Sequence, residues 1–445
     1  MSQITAAHRQ EIEARHAHLL KSKPLQRLMP LIVVMATLLY GVYALWFFDI
    51  PRIVSEAQWF RMGLYLRQWV SYDVQPEFRL GKDGITIRYP RFSPLGDDPH
   101  PDWVVTKPDG SKFIPFGSGG VTIATTGTTI VARGATVHID VTSGKPVIEG
   151  KPPAWVTVYD EDVLADLGFS GDVSLSADRV KVRKRFFGWA NFVFDTSSPF
   201  FGKSASETLG LIFSDARLDP SQSNLSLALD NIWNNSAWQH GDVWVKLAQT
   251  VVMAFLGTLL GAVLAFPLAF MAARNITPNH FLGSCIKRFF DFLRSMDLLI
   301  WSLFLTRAFG PGPLAGAGAI FLTETGTLGK VYAEGLENID KKPGEGIQST
   351  GASTILTHRY ATMPQVAPVM AGQTLYQWES NIRDAATIGA VGAGGIGLKL
   401  WEAMRTNSNW ANVAYMVLLT LLVTFLFDVA SSRLRQKLMG TDPRR

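Results

Sequence analysis

"EGLENIDKKPGEGIQSTGASTILTHRYATMPQVAP", Glu334 to Pro368, is a polar, basic stretch inside an apolar chain. Glu345 precedes Gly351 by six residues, and nine more separate Gly351 from "ATMP", Ala361 to Pro364. Pro343 fits the first turn of a helix, where its missing N–H has no partner to lose. Gly351 fits a sharp turn between two short helices, because glycine tolerates left-handed backbone. Pro364 closes the unit and starts the next segment. A helix-turn-helix of this size is either an ordinary amphipathic loop or a rigid piece that seats in a partner. The flanking sequence decides between them.

Those flanks are apolar. Among 445 residues, 47% are hydrophobic and 18% are charged, against roughly 25% charged in average soluble domains. Leu28 to Phe48 is an uncharged run of 21 residues, about the length that crosses a bilayer core. Tyr43, Trp46, Phe47 and Phe48 give it an aromatic belt. It is too long for a cleavable signal peptide, and no small-x-small site follows. Leu247 to Ala273 and Thr406 to Phe427 are two further uncharged runs. Three weaker spans lie between those two. They are "LLIWSLFLT" (298–306) just after Asp297, Gly312 to Gly329 with Glu324, and Val366 to Gly397 with Glu379, Asn381, Arg383 and Asp384. Ionisable groups at membrane depth are costly and mark pathways. Glu379 and Arg383 are spaced i, i+4, so they can pair on one helix face.

Six spans put both termini on one side. Arg9, Arg15, Lys21, Lys23 and Arg27 precede the first span, and Arg433, Arg435 and Lys437 follow the last. Arg274, Lys287, Arg288, Lys341, Lys342 and Arg359 occupy the two intervening segments on the same side. The positive-inside rule makes that side cytoplasmic. Asp49 to about His240 is then extracytoplasmic. Residues 49–70 have the mixed apolar and basic pattern of an interfacial amphipathic helix. Within 71–204 the period changes to two, in "TVHIDV", "WVTVYD" and "DRVKVRK", with "PDG", "GSGG" and "TSGKP" as turns. That is a small antiparallel β domain. Asp160, Glu161 and Asp162 lack the alternation of a calcium loop and fit a solvated turn. Residues 205–244 connect to the second span.

Other classes lose ground. The net charge is +5 with no basic run interleaved with aromatics, so nucleic acid is not an expected partner. Cys285 is the one cysteine, which excludes an intrachain disulfide and a zinc site of paired cysteines. His8, His16 and His18 sit in the N-terminal tail without companion ligands. "AVGAGGIG" holds Gly392, Gly394, Gly395 and Gly397, and three of these have the spacing G-x-G-x-x-G. It follows a charged span rather than a strand, and no acidic residue stands about twenty positions on to hold a ribose. Small residues of this kind let membrane helices approach closely. "GTLGK" around Lys330 lacks the first glycine and the Ser or Thr of a phosphate loop.

With that topology in place, the Glu334 to Pro368 segment resembles the signature loop of bacterial ABC-importer permeases, E-A-A-x-x-x-G-x9-I-x-L-P. Glu345, Gly351 and Pro364 match in type and spacing, Met363 stands for Leu, and Gly346, Ile347 and Ala361 depart. "VKLAQTVVMAFLGTLLGAVLAFPLAFMAARNITP", "GPGPLAGAGA", "GTLGKVYAEGLENID", "STGAS" and "NIRDAATIGAVGAGGIG" together look like the phosphonate ABC importer permease, over roughly residues 245–440. "RSMDLLIWSL" and "LTETG" differ from the family, which usually has Pro-Glu at Asp297 and Leu298 and a histidine shortly before the glycine of "LTETG". The β-rich segment is outside the usual pattern.

The resemblance implies an α-helical integral membrane protein of the bacterial inner membrane. Six transmembrane helices would form a permease core, residues 245–430, carrying a coupling loop at 333–365 and an inserted extracytoplasmic β-rich domain. The tails would be 1–27 and 431–445, and the first helix 28–48. Two permease halves, identical or paralogous, would enclose one pathway in the lipid bilayer. ATPase subunits holding ATP and magnesium would dock on the loop of Glu345, Gly351, Arg359, Met363 and Pro364. A soluble binding protein would deliver phosphonate, phosphate or phosphite. This chain would bind no cofactor or metal and would not itself be an enzyme. Glu379, Asn381, Arg383, Asp384, Asp297 and Glu324 are the pore or gate candidates. Arg383 would be a gate or structural partner of Glu379 in preference to a direct ligand of the oxyanion. A membrane sensor, a secondary transporter and, last, an oxidoreductase are the rival readings. The first lacks a cytoplasmic signalling domain, and the second leaves the Glu345 to Pro364 loop unexplained.

Overall fold

The computed structural model describes residues 24–57, 63, 66–81, 84–90, 93–96, 101–117, 119–142, 145–159, 162–406 and 410–438. The tail histidines and cations up to Lys23, Asp160 and Glu161, and the tail beyond 438 lie outside the described residues. The chain divides into two units, 1–64 and 65–445.

In the first unit, α1 (Pro24–Phe47) has the length and composition to cross a membrane, and its apolar window is wholly exposed. Asp49 takes left-handed backbone and starts α2 (Ile50–Glu56). The single helix expected over 49–70 is not formed. Ala57 is extended (ψ 130) and ends α2 after seven residues, although Arg52 and Glu56 pair at 2.9 Å within it. Part of the remainder, 58–62 and 64–65, lies outside the described residues.

The second unit begins with two antiparallel sheets. One contains β1 (Ser71–Val74), β2 (Glu77–Gly81), β3 (Gly84–Arg88), β10 (Val156–Tyr159), β11 (Asp162–Asp166), β12 (Gly171–Leu175) and β13 (Arg179–Phe187), in the order β10-β11-β12-β13-β2-β3 with β1 also on β13. The other is a meander of β4 (Val105–Thr106), β5 (Lys112–Phe116), β6 (Gly119–Ile123), β7 (Gly127–Ala132), β8 (Ala135–Asp140) and β9 (Val147–Ile148). Alternate side chains turn inward, as the period of two requires. Phe78, Val173, Leu175, Val180 and Val182 of the first sheet share one core with Ile114, Val121, Ile123, Ile130, Val137 and Ile139 of the second. Arg185 on β13 is buried and reaches Asp73 on β1 at 2.8 Å. That pairing meets the rule that a buried charge needs an opposite partner.

Both ends of this region meet. Ser71 stands opposite Phe187, Gly188 N–H donates to Val70 O at 2.9 Å, and Trp189 Nε1–H donates to Trp69 O at 2.9 Å. Beyond lies an aromatic cluster. Trp189, Phe192, Trp238, His240 and Tyr415 form one cluster, with neighbouring ring centroids 4.8 to 6.5 Å apart. His240 Nε2–H donates to Phe192 O at 2.7 Å, and its Nδ1 lies 3.0 Å from the Tyr415 hydroxyl.

Asp195 pins the same junction. Its carboxylate accepts from the amides and hydroxyls of Ser197 and Ser236 at 2.6 to 3.1 Å. Burial pushes its pKa up, but the Ser236 and Ser197 hydroxyls and amides outweigh burial and leave it lowered. Its stabilisation is therefore complete above the ordinary value of 3.8 and is lost as pH falls through the lower folded value. Asp195→Ala should cost about 2–3 kcal/mol at pH 7, as for hydrogen bonds to a charged group. Melting curves of wild type and variant should converge in acid. A gap equally large at neutral pH and in strong acid would contradict the assignment.

The rest is helical. Two short helices, α3 (Ala205–Ile212) and α4 (Asn224–Trp233), precede α5 (His240–Ala272), α6 (His280–Ser295), α7 (Leu298–Phe309) and α8 (Pro313–Glu337). Then come α9 (Lys342–Gln348), α10 (Thr354–Thr357), α11 (Met363–Ile388), α12 (Gly395–Thr406) and α13 (Trp410–Leu438). Among the described residues, α1, α5 and α13 are long and apolar enough to cross a membrane. With 25 and 26 residues, α8 and α11 have the length but carry charges. The 12 residues of α7 rise about 18 Å, short of the roughly 30 Å core. The third expected span is thus not one full crossing helix. Close approach of α5 to α8 depends on small residues. A Cβ on Gly261 would stand 2.8 Å from Glu324 Cβ.

Candidate functional site

The quoted stretch folds as two short helices around a turn. Pro343 lies in the first turn of α9, and Gly351 turns the chain at φ +81. After α10, one widened turn (His358–Thr362) leads into α11, with Pro364 in its first turn. One side of the unit is anchored. Asp340 N–H donates to Gln365 Oε1 at 3.1 Å, and Gln365 Nε2–H donates to Ala361 O at 2.9 Å. His358 sits edge-on to Phe270 near the end of α5. Met363 packs on a cluster of Ala265, Ala269, Phe290, Leu328, Tyr332 and Val366. The other side is open. Glu345, Gly351, Arg359 and Pro364 are exposed, as are Ile355 at 79% and Tyr360 at 60%. Arg359 lies over the Tyr360 ring at 5.6 Å. A firmly held base with an apolar tip has the makeup of a contact surface.

Further along α11 the charged candidates separate. Glu379 is buried, with a side chain 8% exposed, and pairs with Arg383 at 3.6 Å. A closer partner is Arg435 of α13, at 3.1 Å. Arg435 also lies over the Tyr376 ring at 5.5 Å. The Arg383 side chain is 63% exposed and that of Arg435 is 24%. On α13, Arg435 lies eight residues beyond Phe427, about 12 Å by helix rise. Glu379 itself lies two residues before Asn381 on α11, so Arg435 extends from the end of α13 to a carboxylate inside the bundle. Trp378 stacks between Phe255 and Phe427, one residue before Glu379.

Mid-depth polarity comes from Asn381, whose Nδ2–H donates to Thr258 Oγ1 at 2.8 Å inside the bundle. Glu324 of α8 is buried too, and its Oε2 has no hydrogen-bond partner among the described residues. Asp384 is exposed on α11. Asp297 is exposed and caps α7, accepting from Leu299 N–H at 2.8 Å. The candidates thus do not converge on one point. They fall into an ion pair, a buried amide and carboxyl, and two exposed acids.

The four glycines mark the far end. Gly392, Gly394 and Gly395 have φ of +106, +81 and +68, so they are turn residues as well as the small packing residues expected. They reverse the chain so that α12 lies back on the end of α11. Gly392 O accepts from Gly312 N–H at 3.0 Å, and Ile396 N–H donates to Thr250 Oγ1 at 2.9 Å. Close packing is also present: a Cβ at Gly395 would overlap Thr250 Oγ1 of α5, one at Gly394 would stand 2.8 Å from Pro313 N of α8, and one at Gly397 would overlap the Ala386 carbonyl. The turn follows a helix, not a strand, so the dinucleotide reading has no structural context. Thr258, Gln365 and Arg435 were missed as site residues. Arg435 carried a signal only as one of several terminal cations.

Comparison with known proteins places residues 265–439 in a family described as binding-protein-dependent transport system inner membrane component. A putative phosphite transport system permease protein of Stutzerimonas stutzeri is 34% identical over 45% of this chain and 71% of its own length. A putative cryptic phosphonate transport system permease protein of Escherichia coli is 44% identical over 26% of this chain and 96% of its own. A phosphate-import permease protein of Mycolicibacterium smegmatis is 40% identical over 35% of this chain and 30% of its own.

Proposed function

We propose a function from one premise: this chain belongs to the family of binding-protein-dependent transport system inner membrane components. It is a multi-pass permease subunit of an ABC importer. The proposed cargo is a phosphorus oxyanion, phosphonate, phosphite or phosphate, the classes in the relatives' names. Two permease halves enclose the pathway. The exposed Arg383 and Asp384 on α11 belong to the face that meets the second half. Six crossings are completed by α6 and α7 acting together. The β-rich region is an insertion on the side opposite the loop, where a binding protein delivers cargo. ATP and magnesium are held by separate ATPase subunits.

The observation that carries this reading is the loop of α9 and α10. Its base is fixed to α5 and α11, and its tip presents Ile355 and Tyr360 to solvent. A rigid unit of this kind can turn ATPase closure into motion of the helices. The test exploits the turn at Gly351. Asn adopts left-handed backbone more readily than a β-branched residue. Purified in mild detergent, the wild type and Gly351→Asn should bring down an ATPase, and Gly351→Val should not. No ATPase with the wild type, or equal amounts with Val, would sink the coupling assignment.

A further inference from the structure

We propose that α4 is an interfacial helix that lies in the headgroup layer on the side of the bilayer where α5 begins. This rests on the reading of α5 as a span. On α4, Leu225, Leu229 and Trp233 are exposed at successive i+4 positions, while Asn224 and Ala228 are buried against the protein. Ser226 and Asp230 stand beside that apolar stripe and are also exposed. The free arc of the helix is therefore half apolar and half polar, the division that suits a water–lipid boundary.

The stripe does not end with α4. The Trp233 ring lies over Gly241 in the first turn of α5, so close that a Cβ there would stand 2.5 Å from Nε1. From there the exposed apolar surface runs on through Trp244, Val245, Val252, Phe255 and Leu256 of α5. The uncharged run of α5 begins at Leu247. Six residues separate it from Gly241, about 9 Å of helix rise. That offset sets α4 at the level of the headgroups and puts an indole where tryptophan is enriched. Leu209 and Phe213, on and just after α3, are also exposed, four residues apart. Continuity with the lipid-facing side of a span selects lipid as the occupant over a second copy or a delivered protein.

The test is spin-label accessibility in the full chain with its copurified partners, reconstituted in phospholipid nanodiscs. Cys285 is exposed, so the background is Cys285→Ser. Labels go at Leu229→Cys, at Asp230→Cys on the polar side, and at Val252→Cys on α5. Leu225→Cys serves if the Leu229 variant does not fold. The expected result is that the labels at 229 and 252 collide with oxygen more than with a water-soluble nickel complex, and that the label at 230 shows the reverse. A label at 229 as open to nickel as the one at 230 would overturn the proposal. So would a label at 229 shielded from both reagents, which would put a protein partner on the stripe. If the label at 252 is itself open to nickel, the span reading fails and the proposal falls with it.

Discussion

Arg435→Ala should destabilise the bundle by about 3 kcal/mol, whereas Arg383→Ala should cost about 1 kcal/mol or less. The difference follows from where the two guanidinium groups sit. Glu379 is a buried carboxylate whose nearer partner is Arg435, at 3.1 Å. Arg383 is mostly exposed and stands 3.6 Å away, in reach of water that can replace it. Removal of the partner from a buried charge leaves that charge uncompensated, which costs far more than the pair itself contributes. The same logic predicts recovery. Glu379→Gln combined with Arg435→Met removes both charges, and stability should return most of the way to wild type. Melting of the detergent-solubilised wild type and of these three variants measures all three effects. Equal losses from Arg435→Ala and Arg383→Ala would show that the ranking by burial is wrong.

The second large effect is expected at Gly397→Ala. A methyl group there would overlap the Ala386 carbonyl and crowd Gly389 Cα at 3.0 Å. Both are backbone, so no side-chain rotation relieves the clash. The cost should reach or exceed about 3 kcal/mol, the upper end for overpacking. The variant should lose the fold-back of α12 on α11 and run as an aggregate on size exclusion. Gly335→Ala is the matched control. It lies in α8 with nothing within 4 Å of the added methyl, and should stabilise by up to about 1 kcal/mol through helix propensity. Gly397→Ala that purifies and melts like wild type would refute the close approach.

Some of this was legible in the sequence because it depends on near neighbours. Uncharged runs, the period-two strands and the Pro343, Gly351 and Pro364 punctuation are local signals, and helices, sheets and the turn stand at those places. Long-range partners left no such trace. Arg435 and Glu379 are 56 positions apart, and nothing local separates Arg435 from Arg433 or Lys437. The glycines of "AVGAGGIG" were read as small residues for packing, since sequence does not reveal the sign of φ. Burial misled in the opposite direction at Asp297. Its acid stands at the start of a helix as a cap, a role that composition at membrane depth does not suggest. Helix α6 went unrecognised because its basic and apolar residues alternate without a long uncharged run.

The meeting of Val70 with Gly188, and of Ser71 with Phe187, has a consequence for how such a chain can change. More than a hundred residues leave and return through one doorway, with the hydrogen bonds of Gly188 to Val70 and Trp189 to Trp69 as its lintel. A bridge of two or three residues would close that gap without stretching its flanks. The β sandwich in this sense hangs from one point, so its removal by engineering should leave the two flanking ends where they stand.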